Sequence, residues 1–211
     1  MSLFEMAMKG GFLMIALLII SFAAIFIIIE RYIKIRKSKK DEENFLEEIK
    51  SLLAQKKIDR AIRLCELKEN SPISNVTLKG LETLNQPNYE TREVIETAAR
   101  TELRKLETNL GTLSTFAAIA PLIGFLGTVM GMVKVFMTIQ KTGGGVDITL
   151  LAGGIWEAMI TTIGGLTVGI IAILFYNYLV SKIEVIASDM EEKSNEIISQ
   201  LRGITNENQL E

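Results

Sequence analysis

One carboxylate, Glu157, interrupts an apolar run that otherwise extends over 148–180, and two threonines, Thr128 and Thr162, fall within equally apolar surroundings. A carboxylate takes up and releases a proton, and a hydroxyl both donates and accepts hydrogen bonds. Within a bilayer an ionised carboxylate is costly unless it is neutral, paired or hydrated, which makes Glu157 a functional candidate by default. Other chemistries are excluded by composition. With one Cys and no His, the chain offers no intramolecular disulfide, no zinc site of the usual Cys/His kind and no Ser-His or Cys-His dyad. Gly143-Gly144-Gly145 is followed by Val146-Asp147 rather than by Gly-Lys, so the nucleotide phosphate loop is missing too. No catalytic residue, metal or cofactor is expected, and Cys65 reads as a packed small side chain in a helical, charged segment.

The elements that must hold these residues follow from hydropathy. Residues 11–29 are 19 positions without a charge, 108–133 are 26, and 148–180 are 33 with Glu157 as the one interruption. A span needs about 20 apolar residues, and a soluble core helix of such length would show a polar face. The sequence therefore predicts an all-α membrane protein and excludes a water-soluble enzyme. Three transmembrane helices are expected over 10–30, 108–140 and 148–180. The first reads as a retained anchor, because its apolar run is longer than an h-region of about 7–15 residues and leads into Glu30-Arg31-Tyr32 rather than a small-residue cleavage site.

Lys and Arg set the orientation. Arg31, Lys34, Arg36, Lys37, Lys39 and Lys40 follow the first span, Arg100, Arg104 and Lys105 precede the second, and Lys182 follows the third, whereas the opposite side offers Lys9 and Lys141. The positive-inside rule then puts an external N-terminus at 1–9, a cytoplasmic helical domain at 31–107, an external hairpin loop at 141–147 turned by Gly143, Gly144 and Gly145, and a cytoplasmic C-terminal helix and tail at 181–211. Phe45, Ile49, Leu52, Leu53, Ile58, Ile62 and Cys65 predict an amphipathic helix over 41–69 with a break near 55–58. Ser71-Pro72 and Gln86-Pro87 punctuate the chain beyond it. From about residue 88 the pattern predicts one unbroken helix of about 50 residues into the second span. Leu103, Leu106, Leu110 and Leu113 form its stripe, and Ile183, Ile186, Met190 and Ile197 continue the third span. Each stripe is either the core of a bundle within the chain or a seam between subunits.

Small residues mark where membrane helices touch, since lipid gives no hydrophobic drive for association. The first span has almost none after Gly11. The second carries Ala117, Ala118, Ala120, Gly124, Gly127, Thr128 and Gly131, with Pro121 among them, and the third carries Gly153, Gly154, Ala158, Thr161, Thr162, Gly164, Gly165 and Gly169. This abundance exceeds the needs of one helix pair, and predicts a homo-oligomer. Counted at about 1.5 Å per residue from the hairpin, Thr128 and Thr162 share a level about 20–22 Å deep, Glu157 lies about 15 Å deep near mid-membrane, and Lys134 about 10 Å deep. Two readings of Glu157 stand: a proton-pathway residue, or a structural ion pair with Lys134. For the threonines the alternative is a hydroxyl bonded back to its own helix.

Residues 119–132, Ile-Ala-Pro-Leu-Ile-Gly-Phe-Leu-Gly-Thr-Val-Met-Gly-Met, resemble the A-P-x-x-G-L-x-G-T-V-x-G signature of the MotA/TolQ/ExbB proton channel family, and residues 154–166 resemble its second signature, I-x-E-A-L-x-x-T-x-x-G-L. Tyr176-Asn177 is similar to the family's close of span three. Three spans point to the TolQ/ExbB branch. By position, the resemblance implies that Thr128 and Thr162 line a central pore and that Glu157 is the family's span-three glutamate. It further implies a pentameric ring in the bacterial inner membrane around single-span ExbD/TolR-like partner helices that each bear one protonatable aspartate, with a TonB/TolA-like envelope-spanning protein beyond. The function so implied is the proton-channel subunit of a proton-motive-force-driven motor serving uptake across the outer membrane or envelope maintenance. No nucleic-acid partner is expected. A membrane scaffold, or a passive channel without a motor, is the competing reading. Lys134 departs from a cation-conducting mouth, and is expected to snorkel outward or to pair with Glu157.

Overall fold

Seven helices make up the described part of the computed structural model, which covers residues 11–38, 42–68, 71–83, 88–141 and 148–208. In chain order they are α1 Gly11–Ser38, α2 Glu42–Ala54, α3 Ile58–Leu67, α4 Pro72–Glu82, α5 Asn88–Glu107, α6 Leu110–Lys141 and α7 Ile148–Asn208. No strand occurs among the described residues. The expected external N-terminus, the triglycine turn, Lys39, Lys40, Gln86-Pro87 and the last three residues lie outside them.

Among the described residues three stretches are long and apolar enough to cross a bilayer: Gly11–Ser38, which is α1, Arg92–Lys141, which includes α6, and Leu151–Gln200 within α7. The chain divides into two compact units. One comprises α1 through Glu30, α6, and α7 through Tyr178, and the other the end of α1, α2–α5, and α7 from Leu179.

In the second unit, α2 packs on α3, α3 on α4 and α4 on α5. The expected break between α2 and α3 is present, and Lys56 turns there at a φ of 56°. Ser71 is extended and Pro72 opens α4, as a residue without an amide proton can at a first helical turn. Phe45, Ile49, Leu53, Ala61, Cys65, Ile73, Val76 and Ile95 are buried. Burial pushes the Cys65 thiol up to about 11, because removal from water disfavours the thiolate. Ile183, Ile186, Met190 and Ile197 of α7 are buried as well, so that stripe is core within the chain and not a surface left for a neighbour. Lys50 of α2 pairs with Glu196 of α7 at 2.5 Å. The guanidinium of buried Arg31 donates to the Lys105 carbonyl at 3.0 Å, joining the ends of α1 and α5.

The unbroken helix expected from residue 88 into the second span is not what forms. Thr108 and Asn109 interrupt it, Asn109 standing at a φ of 64°. Asparagine is among the few residues that enter the left-handed region readily. Its carbonyl then accepts the Leu113 amide at 3.1 Å, which starts α6 afresh. By contrast α7 runs 61 residues without interruption, about 90 Å at 1.5 Å per residue.

Candidate functional site

The first unit is organised by one contact between α6 and α7. On α6 the buried residues are Leu110, Leu113, Ala117, Ala120, Gly124, Gly127, Gly131 and Val135, a single stripe at steps of three and four. On α7, Ala158, Thr161, Gly165, Gly169 and Ala172 form the matching stripe. A Cβ placed on Gly165 would lie 2.5 Å from the Ala120 carbonyl oxygen and 2.9 Å from the Gly124 Cα. One placed on Gly131 would lie 2.7 Å from the Ala158 Cβ, and one on Gly154 2.5 Å from a Val135 methyl. Partner numbers on α7 fall as those on α6 rise, so the helices are antiparallel, and only glycine lets them come this close. Pro121 has no amide proton and leaves the Ala117 carbonyl without its usual helical donor. Gly169 sits beneath both, its position for a Cβ being 2.6 Å from the proline ring and 3.1 Å from that carbonyl.

Gly124, Gly127, Gly131, Gly154, Ala158, Gly165, Gly169 and Pro121 all serve the same long intrachain contact. Gly164 faces Met14 and Leu17 of α1, while Gly111 and Gly153 meet nothing within 4 Å.

The polar candidates flank this stripe. Thr162 donates across it to the Gly124 carbonyl at 3.0 Å. Thr128 donates to the Phe125 carbonyl of its own helix at 2.6 Å. Gly127, the residue before Thr128, lies against Thr161, the residue before Thr162. The structure does not bring Thr128 and Thr162 into contact with each other. Thr161, which sequence reasoning does not single out beyond its small size, is buried at the stripe. It donates to the Ala158 carbonyl at 2.8 Å and lies against Gly127. Its place on the row with Gly165 and Gly169 is the available signal.

Lys134 of α6 meets Glu157 of α7, Nζ to Oε1, at 3.2 Å. Of the two expectations for Lys134, pairing is the one realised. From Gly11 to Glu30 on α1 and from Glu157 to Tyr176 on α7 is the same number of residues, and the two helices run parallel, since Gly11 faces Glu157 and Met14 faces Gly164. Trp156 and Tyr176 stand 20 residues apart on α7, about 30 Å along the axis. The ion pair lies next to Trp156, at one end of the stretch between these two aromatic residues.

Three long apolar helices, two of them joined along a glycine seam with hydroxyls and an ion pair beside it, define a multi-pass membrane protein. The chain belongs to the MotA/TolQ/ExbB proton channel family, whose family model matches residues 68–192. It is 32% identical over 177 residues to an ExbB-like biopolymer transport protein of Synechocystis sp., covering 82% of this chain and 69% of that one. An ExbB homologue of Methanothermobacter thermautotrophicus is 32% identical over 114 residues, 54% of this chain and 40% of the relative. The biopolymer transport protein ExbB of Neisseria gonorrhoeae is 32% identical over 95 residues, 45% of this chain and 43% of the relative. The last two matches span less than half of those proteins. The family is one of proton channels and not of enzymes.

Proposed function

We propose that this chain is the proton-channel subunit of an inner-membrane motor of the TolQ/ExbB kind. It stands with its N-terminus outside, assembles as a pentameric ring, and couples proton flow to a single-span ExbD/TolR-like partner that carries the membrane aspartate and acts on a TonB/TolA-like envelope protein. The seam of α6 and α7 supports this, because Gly127 beside Thr128 packs against Thr161 beside Thr162, which brings the two threonines near each other along an apolar wall. The broad apolar faces left exposed on these helices, including Leu122, Phe125, Val129 and Phe136 on α6 and Met159, Ile163, Leu166 and Ile170 on α7, suit neighbours and lipid.

The observation that carries the reading is the Thr162 hydrogen bond to Gly124. Each threonine has one hydroxyl proton, and both protons are committed to backbone carbonyls. What the pair offers a partner is lone pairs, which accept from a protonated carboxyl group or from water. A protonated aspartate is favoured beside them, and an ionised one is not. Protonation would thereby set where the partner helix rests. With aromatic belts at Trp156 and Tyr176, the threonines lie inside a hydrocarbon core of about 30 Å and the Lys134–Glu157 pair at its outer mouth. There a lysine does not act as a lone positive barrier, since Glu157 balances it.

The test is replacement of Thr162 by Val or Ser in cells lacking the native protein, with proton-gradient-dependent function and partner co-purification measured together. Thr162→Val should retain the partner and lose function, whereas Thr162→Ser should keep much of it. Full function of the valine variant would sink the hydroxyl argument and leave the scaffold reading.

A further inference from the structure

Glu157 has a third neighbour besides Lys134 and the α7 backbone. Gly11 of α1 stands at a φ of +66°, and a Cβ built there would lie 2.5 Å from Glu157 Oε1. The backbone conformation calls for glycine, and a side chain there would push the carboxylate, the movable end of Glu157, out of the place it occupies. Beside them lies a cavity of about 70 Å³ lined by Phe12 and Leu13 of α1, Met130 and Lys134 of α6, and Glu157 and Thr161 of α7. Several times the volume that one water needs, and bordered by an ammonium, a carboxylate and a hydroxyl, it suits water as its ligand.

We propose that Gly11 is a positioning residue: by bringing bare α1 backbone against Glu157, it closes a seat in which the carboxylate is held against Lys134 and hydrated from the cavity. The seat also sets α1 beside a charged side chain of the hairpin, in a unit where Met14 and Leu17 of α1 approach Gly164 with apolar ones. Its functional consequence rests on Glu157 belonging to the proton path, but the seat itself does not.

A thermal cycle on the detergent-extracted full chain tests it. Gly11→Ala should lower the melting temperature by about 3–6 °C, chiefly from strain at the left-handed φ and further from displacement of the carboxylate away from Lys134. In a Glu157→Ala background the displacement is gone and only the strain remains, so the drop should be measurably smaller. Equal drops in the two backgrounds overturn the proposal. In cells, Gly11→Ala should reduce proton-driven function at least tenfold while partner co-purification persists. Thermal coupling without that loss supports the seat and removes Glu157 from the proton path, so the two ideas fail separately.

Discussion

Replacing Gly165 by Ala adds one methyl group where the two helices are closest. That methyl would stand 2.5 Å from the Ala120 carbonyl oxygen, 2.9 Å from the Gly124 Cα and 3.0 Å from the Gly124 nitrogen. All three are backbone atoms of α6 and none can rotate away. Comfortable separations begin near 3.5 Å, so the helices must part by about 1 Å. Overpacking of this kind costs about 1–3 kcal/mol. The upper part of that range applies, because parting at Gly165 also loosens Gly131 against Ala158 and Gly154 against Val135 on the same stripe. Against this, Ala is preferred to Gly in a helix by about 0.5–1 kcal/mol, leaving a net loss of about 2 kcal/mol. Gly153 supplies the control: nothing lies within 4 Å of its Cβ position, so Gly153→Ala gains the helical preference undiminished. The two variants should differ by about 3 kcal/mol, or about 6–12 °C in melting temperature for a chain of this length. Thermal unfolding of detergent-extracted protein measures it. Gly165→Ala melting at or above Gly153→Ala would refute the backbone-on-backbone contact.

Other expectations concern charge, accessibility and topology. Glu157→Gln should lose proton-driven function, and adding Lys134→Met should not restore it; restoration would mean that the pair is only a strut. Cys65 should resist alkylation at pH 8 in the folded protein and react once denaturant is added, and rapid native labelling would contradict its burial. Because its folded pKa of about 11 lies above the ordinary 9.0, the stabilisation from keeping the thiol neutral is complete below pH 9 and fades as the pH climbs toward 11; a melting curve unchanged across that window in wild type relative to Cys65→Ala would count against it. For orientation, Lys37→Cys and Gln140→Cys are both exposed positions, whereas Ser38 is buried. An impermeant thiol reagent should label the Gln140 variant in cells with a permeabilised outer membrane and the Lys37 variant only after lysis, and the reverse pattern would invert the topology.

The three long apolar helices are legible in the sequence because hydropathy accumulates over many residues and one misjudged position changes little. The break at Asn109 is not, since a single left-handed residue leaves no periodic trace and the leucine stripe passes through it. The glycine seam is half legible. Its residue types point to close packing, but counting small residues overlooks that 117, 120, 124, 127 and 131 already follow one helical face. The Lys134–Glu157 pair is open to prediction from reach along two antiparallel helices. The approach of Gly11 to Glu157 joins positions far apart in the chain, and nothing local announces it.

A seam of glycine and alanine has a thermodynamic character of its own. Long side chains surrender rotamer freedom when they are buried, whereas Gly and Ala have none to surrender. The α6–α7 hairpin consequently forms without that entropic opposition and, once formed, has no alternative rotamers through which to repack. It behaves as a single stiff stave. Displacement within this unit falls most readily on α1, whose contacts with the hairpin include the adaptable side chains of Met14 and Leu17 against Gly164.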